Sequence, residues 1–124
     1  MQEASARKVM IIDEDPKYRM LLQHILQDLY CNVVGVESGG DEAIDIFERK
    51  NPDIVLLNIT TPLEIGLEVL KEMKNIKPYV VVIMITSVTG EETVKRCIEA
   101  GADGYILKGD KDTVVRKRLA NFFY

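Results

Sequence analysis

The sequence has few of the residues that build a disulfide scaffold or a thiol-based metal site. It holds two cysteines, one histidine and no tryptophan among 124 residues. Cys31 and Cys97 lie far apart, without the CxxC spacing of metal or redox motifs, so we expect free thiols in a reducing cytoplasm. His24 lies off the apolar face of its predicted helix. We therefore expect it to be exposed and chemically inert.

Long apolar runs and positive charge are lacking as well. The longest apolar run, Val80–Ile85, is far shorter than the roughly 20 residues that a membrane helix needs. Residues 1–6 lack the apolar segment of a secretory signal. The net charge of −4 and the pI of about 5.0 argue against nucleic acid or an anionic membrane as the main partner. We expect a cytoplasmic protein that binds neither.

Five short apolar segments rich in β-branched residues are typical of strands that are buried on both faces of a parallel sheet. They are Val9–Ile12, Val33–Val36, Ile54–Leu57, Val80–Ile85 and Tyr105–Leu107. A helical pattern follows each one. The composition, 47% hydrophobic and 29% charged, is sufficient for a single packed core.

The helical patterns carry recognisable start and stop signals. Asp15 followed by Pro16 predicts the start of the first helix, with the aspartate as its N-cap. The apolar stripe of this helix comprises Tyr18, Leu21, Leu22, Ile25, Leu26 and Leu29. A capping box over Thr89–Glu92 predicts the start of the fourth helix, and Gly101 its end. Three residues of that helix, Val94, Cys97 and Ile98, are expected to face inward.

Five repeats of strand and helix predict an α/β fold, a flavodoxin-like (βα)5 doubly wound parallel sheet with strand order 2-1-3-4-5. We expect a flexible tail at residues 1–6 and one domain over residues 7–124. In such sheets ligands bind at the carboxyl ends of the strands, where the strand order reverses. The residues that directly follow the strands are therefore the candidates for function.

Polar side chains follow four of the five strands. They are Asp13 and Glu14 after strand 1, Asn58 after strand 3, Thr86–Ser87 after strand 4 and Lys108 after strand 5. The adjacent carboxylates repel each other unless a cation or the lysine offsets their charge. Oxygen ligands of this kind suit Mg²⁺. The acidic loop after strand 1 lacks the glycine-rich, phosphate-binding character that flavin and dinucleotide sites require.

These residues, taken in order over about residues 7–123, resemble the receiver domain of two-component response regulators. The resemblance is carried by the acidic pair Asp13–Glu14, by Asn58, Pro62 and Gly66 at successive spacings of four, by Thr86–Ser87, and by the run Ala-Gly-Ala-Asp-Gly-Tyr-Ile-Leu-Lys ending at Lys108. In that family an aspartate at the acceptor position takes a phosphoryl group from a sensor histidine kinase. The face formed by helix 4, strand 5 and helix 5 then changes.

The resemblance implies a role for each matching residue. The implied ligands of Mg²⁺ are Asp13, Glu14, the side chain at position 58 and the Thr60 carbonyl. The implied phosphate-binding groups are Thr86, Ser87 and Lys108. Thr86 and Tyr105 form the implied switch pair. A histidine kinase or another signalling protein is the implied partner, through the helix 4–strand 5–helix 5 face. The implied module signals and is not an enzyme.

Three positions depart from the family pattern. Asn58 stands at the acceptor position, and a carboxamide cannot form an acyl phosphate or bring charge to a metal. Mg²⁺ binding is therefore expected to be weak or absent. Gly109 stands where the family usually has a proline in a cis peptide, so we expect a trans bond, since a non-proline cis bond costs about 2.5–4 kcal/mol. Thr61 replaces a methionine common before the proline.

Three interpretations follow from these departures. The first is an atypical receiver, silent to phosphorylation, that works by protein–protein interaction. The second is a normal Mg²⁺-dependent receiver that carries an Asp-to-Asn substitution at position 58. The third and most distant is a flavodoxin-like enzyme.

Overall fold

The computed structural model describes residues 6–39, 42–59, 62–87 and 90–123. Five strands alternate with five helices along the chain. They are β1 Lys8–Ile12, α1 Pro16–Asp28, β2 Asn32–Glu37, α2 Glu42–Lys50, β3 Ile54–Asn58, α3 Leu63–Ile76, β4 Val81–Thr86, α4 Glu91–Glu99, β5 Gly104–Leu107 and α5 Asp112–Phe123.

The strands form one parallel sheet in the order β2-β1-β3-β4-β5, which confirms the predicted topology. The chain reverses its direction of winding between β1 and β3. Ile12 pairs with Leu57 in this central part of the sheet, so Asp13 and Asn58 both follow it directly. Thr86 pairs with Leu107, which brings Lys108 to the same edge.

The sheet is covered on both faces, as its continuous apolar strands predict. One buried layer packs α1 and α5 against residues such as Ile11 and Ile106. The other packs α2, α3 and α4 against residues such as Met10 and Met84. Among the described residues, no helix combines the length and the low polarity needed to cross a bilayer.

Two helix ends agree with their predicted signals. The Asp15 carboxylate accepts a hydrogen bond of 3.0 Å from the Lys17 backbone N–H, and Pro16 opens α1. Gly101 adopts a φ of 113°, the left-handed region that glycine tolerates and that commonly ends helices. Thr89, the first residue of the predicted capping box, lies outside the described residues.

The prediction for the inward face of α4 was wrong at one position. Cys97 is buried and Val94 half-buried, but Ile98 is 49% exposed. This short helix buries a narrow stripe centred on Cys97, and the next residue is turned away by about 100° because a helix has 3.6 residues per turn. Cys97 and the half-buried Cys31 are both free thiols, and His24 is exposed.

The position of β5 is fixed by close packing and by an aspartate. A Cβ atom at Gly104 would lie 2.4 Å from Cζ of Phe122, so the ring of this α5 residue rests on the strand backbone. The Asp103 carboxylate accepts hydrogen bonds from the Val82 N–H at 2.9 Å and from Lys74 at 2.7 Å. The last strand is therefore held against both α5 and β4.

Candidate functional site

Asp13 is fixed at the end of β1 by its own backbone and by its neighbours. Its N–H donates to the Glu37 carbonyl at 2.9 Å, which extends the pairing of β1 with β2. Its carbonyl accepts from the Arg19 guanidinium at 2.7 Å. Its Oδ1 atom accepts from the Asp15 N–H at 2.9 Å, so the carboxylate has a defined orientation.

Asp13 and Lys108 form a largely buried ion pair, although they lie 95 positions apart in sequence. The ammonium donates to Oδ1 at 3.0 Å and lies 2.9 Å from Oδ2. The side chains are 1% and 19% exposed. Within the described residues Oδ2 accepts no well-directed hydrogen bond, although the ammonium lies 2.9 Å from it. The Lys108 N–H donates to the Thr86 carbonyl at 2.8 Å, which places this side chain at the edge of β4.

Tyr18 on α1 adds an aromatic face to this pair. The Lys108 Nζ atom lies 4.8 Å from the centre of its ring, a distance at which a cation and a ring attract each other. Burial of the hydroxyl, followed by the nearby carboxylates of Asp13, Asp112 and Asp110, raises the pKa of Tyr18 from 10.0 to about 12. The sequence analysis assigned Tyr18 only to the apolar stripe of the first helix and gave it no place in the site. The signal that was available was a hydroxyl on an apolar stripe one turn after the acidic loop.

The other side of the site is a small cavity between β1, β3 and α3. It measures about 70 Å³, enough for a few water molecules, and its polar lining includes Asp13, Glu14 and Asn58. Asn58 is half-buried and Glu14 exposed. In the part of the chain that the structure describes, the Asn58 side chain makes no hydrogen bond. Apolar side chains of α3, Ile65 and Val69, also line the cavity.

The structure places the predicted switch and phosphate-binding residues in different surroundings. Thr86 is buried at the end of β4, and Ser87 is exposed. Tyr105 is half-buried, and the Arg118 guanidinium lies 6.0 Å from its ring centre. Sheet pairing of Met84 with Tyr105 and of Thr86 with Leu107 puts Thr86 and Tyr105 on the same face, since side chains alternate along a strand. Thr60 and Thr61 lie outside the described residues.

The donor set is compatible in kind with Mg²⁺. Asp13, Glu14 and the Asn58 amide line one cavity, and such oxygen ligands suit a hard cation. Asp13 Oδ2 is a buried acceptor without a well-directed donor among the described residues. These residues nevertheless contain no group of three or more His, Cys, Asp or Glu side chains able to hold a metal ion. The type of ligand atom at this cavity therefore suits Mg²⁺, but the carboxylates there are too few to form such a group.

The sequence profile of the response regulator receiver domain matches residues 9–120. The chain therefore belongs to the response regulator receiver family, the signalling domain of two-component systems.

Relatives in several organisms support this assignment. Chemotaxis protein CheY of Halobacterium salinarum is 34% identical over 103 residues, which cover 83% of this chain and 85% of the relative. CheY of Thermotoga maritima is 31% identical, over 82% of this chain and 85% of the relative. A protein-glutamate methylesterase/protein-glutamine glutaminase of Methanospirillum hungatei is 36% identical over 82% of this chain but only 30% of its own length. The same domain thus also occurs within longer proteins.

Solved structures agree with the fold. CheY in the CheX-CheY-BeF3-Mg+2 complex from Borrelia burgdorferi superposes with a TM-score of 0.84 at 28% identity, covering 95% of this chain and 90% of that one. A response regulator from Thermotoga maritima reaches a TM-score of 0.85 at 20% identity, over 95% and 98% of the two chains, and so supports the fold alone.

Proposed function

We propose that this chain is a receiver whose signalling depends on protein binding and not on phosphorylation of residue 58. The observation that supports the proposal is Asn58 at the acceptor position, half-buried at the end of β3. A carboxamide is a poor nucleophile and does not form an acyl phosphate. Asp13 and Glu14 line the same cavity as Asn58.

Magnesium is the ion that the family implies at this position. Asp13 and Glu14 would hold it, with the Asn58 amide oxygen and, from the family resemblance, the Thr60 carbonyl. When bound, Mg²⁺ supplies positive charge to the oxygens of a phosphoryl group. Because Asn58 brings no charge, this chain offers the ion one carboxylate fewer than a receiver with an aspartate there. We infer weak binding, or none at physiological magnesium concentrations.

The proposal is tested by exposing the protein to a small phosphodonor with Mg²⁺. We expect no labile acyl phosphate at residue 58 by mass spectrometry of the intact protein and its peptides. Detection of such a phosphate would overturn the proposal.

The second candidate function is a phosphorylated receiver that carries a substitution at position 58. It is favoured by the retained Thr86 and Lys108, which bind the phosphoryl group in the family, and by the retained switch residue Tyr105. The variant Asn58→Asp separates the two candidates. The atypical receiver predicts that the variant stays inert to the donor, since Thr61 and Gly109 depart from the family pattern at positions near the acceptor in the resemblance. Stable, donor-dependent phosphorylation of Asp at position 58 would establish the second candidate.

We infer further that the partner is a sensor histidine kinase or another signalling protein in the cytoplasm, and that the domain contacts neither nucleic acid nor membrane. The receiver family also argues against a catalytic activity of its own, and against the flavodoxin-like enzyme. The complex of Borrelia CheY with CheX is an example of a receiver bound to another protein.

The proposed contact surface is the face of α4, β5 and α5. A groove between β5 and α5 there combines apolar side chains with two cations; it is lined in part by Tyr105, Val114, Lys117, Arg118 and Phe122. Val114 is 40% exposed, so the groove presents apolar area that a partner could cover. Apolar area with adjacent positive charge suits a protein segment that bears an apolar anchor and acidic residues.

Charge reversal at this groove tests the surface. The double variant Lys117→Glu, Arg118→Glu is expected to lower the affinity for a sensor kinase of the same organism by about tenfold or more, because the new charges repel an acidic partner. The matched control reverses the same two charge types on α2, where Arg49→Glu and Lys50→Glu change two exposed residues at the end of the helix. Equal affinities for the double variant and the control in a calorimetric binding assay would exclude this face.

A further inference from the structure

We infer that two copies of this chain associate as a symmetric dimer through a groove between α1 and β2. This α1–β2 groove measures about 500 Å³ and is lined by α1 side chains between Met20 and Gln27 and by the start of β2, at Asn32 and Val33. The inference goes beyond the proposed function and does not depend on it. The β2 edge and the α4–β5–α5 face lie at opposite edges of the sheet, so one can be occupied without the other.

The lining of the α1–β2 groove is self-complementary. Of the described residues that line it, none is Asp, Glu, Lys or Arg, although 29% of the chain is charged. Gln23, Gln27 and Asn32 are exposed, and each amide both donates and accepts hydrogen bonds. In a dimer with a two-fold axis the same patch forms both halves of the interface, so it must match itself. Amides meet this requirement, whereas like charges would repel each other.

Two exposed apolar side chains adjoin these amides. Met20, which lines the groove, is 69% exposed, and Tyr30, which directly precedes the lining residue Cys31, is 82% exposed. Methionine and tyrosine are enriched in protein interfaces, and charged residues are depleted from the interface core. Covering these two side chains removes apolar area from water, which favours association.

The backbone at Tyr30 indicates that the fold does not require a tyrosine there. Its φ of 62° lies in the left-handed region, which a bulky residue adopts only at a cost. Tyr30 ends α1 in a Schellman motif, in which its N–H donates to the Gln27 carbonyl at 3.0 Å and the Cys31 N–H donates to the Leu26 carbonyl at 2.9 Å. Glycine is the usual residue at this position. We therefore assign the strained and exposed Tyr30 side chain to a contact outside its own chain.

The edge strand favours contact through side chains over the addition of a further strand. Val9 of β1 pairs with Val33, but Met10 pairs with Gly35, so Val34 is an extra residue in β2. A bulge of this kind interrupts the regular row of backbone donors and acceptors that an added strand needs. The second copy therefore packs against the α1 side chains.

The test is sedimentation velocity of the 124-residue chain from about 1 μM to about 1 mM, a range that detects weak dimers. Gln27→Glu brings a carboxylate from each copy to the interface, and we expect it to weaken dimerisation by about tenfold or more. Asn75→Asp is the matched control, because Asn75 is also an exposed amide at the last but one position of its helix. It should dimerise like the unmodified protein.

A second pair of variants separates contact from folding. Tyr30→Gly should raise the Tm, since glycine tolerates the left-handed backbone, and yet weaken the dimer by about tenfold. Tyr79→Gly, which changes a 92% exposed tyrosine in the loop before β4, should leave dimerisation unchanged. A monomer throughout the concentration range would overturn the inference and leave the groove to a different protein. Equal dimer affinities within either pair of variants would overturn it as well.

Discussion

The two sides of the strand-end site differ in how firmly their polar groups are held. On the β1–β5 side, Asp13 is buried, hydrogen-bonded to Asp15 and paired with Lys108. On the β3 side, Asn58 is half-buried, and its side chain makes no hydrogen bond to any residue that the structure describes. The β1–β5 side is a buried, hydrogen-bonded ion pair. The β3 side is a small cavity whose polar groups have few partners among the described residues.

This difference shows which part of the site the fold itself requires. The carboxylate of Asp13 cannot remain buried without its cation, because an unpaired buried charge is costly. Asn58 carries no charge, so its surroundings need not supply one. The side that would carry the phosphoryl acceptor in a receiver is thus the less constrained one in this chain.

The largest expected effect is on the stability of the β1–β5 side. Asp13→Ala should lower the free energy of unfolding by about 2–3 kcal/mol, because it removes hydrogen bonds to a charged group and leaves the Lys108 ammonium unpaired. Asn58→Ala should change it by less than about 1 kcal/mol. Urea denaturation at neutral pH measures both values.

An exposed ion pair provides the control for this comparison. Arg116 lies 2.8 Å from Asp28, and both side chains are substantially exposed. Asp28→Ala is therefore expected to cost no more than about 1 kcal/mol, as surface pairs do. If Asp13→Ala costs no more than Asp28→Ala and Asn58→Ala, the two sides of the site are equally constrained and the comparison fails.

A smaller effect is expected from Tyr18 at high pH. Its pKa is about 12 in the folded protein against 10.0 for an ordinary tyrosine, mainly because its hydroxyl is buried. The unfolded chain therefore loses this proton first, so the stabilisation is complete below pH 10 and is lost as the pH rises through about 12. We expect the unmodified protein to lose about 1–2 kcal/mol more than Tyr18→Phe across this interval.

The measurement is urea denaturation of both proteins at several pH values within that interval. Lysine ionisation contributes equally to the dependence of the unfolding free energy on pH in both proteins. The difference between the two curves therefore gives the contribution of Tyr18 ionisation. Parallel curves would show that the hydroxyl ionises alike in the folded and unfolded states. The β1–β5 side would then be less well shielded from water than its geometry indicates.

Much of the fold could be predicted because it depends on local patterns. The apolar segments gave the five strands to within about a residue at each end, and β4 runs one residue later than expected because Thr86 still pairs with Leu107. Asp15 with Pro16 predicted the start of α1. Alternation of strands and helices, combined with right-handed crossovers, was enough to predict the strand order.

The pairings within the site were harder to predict, since they depend on packing between distant segments. The sequence brought Asp13 and Lys108 to one edge of the sheet but could not show that the ammonium rests on Tyr18. Ile98 was misplaced because periodicity does not give the width of the buried stripe on a short helix. The roles of Asp13, Glu14, Thr86, Ser87, Tyr105 and Lys108 remain predictions, as does the one-domain division of residues 7–124.

The contact between Gly104 and Phe122 has a practical consequence for anyone who engineers this domain. No side chain fits at position 104 unless the aromatic ring leaves its place, and that ring also lines the groove beside Tyr105. Even a single added methyl group would therefore push the Phe122 ring aside and reshape that groove. A probe for motion of α5 should be attached to a solvent-facing residue of that helix, such as Lys117, and Gly104 should be left untouched.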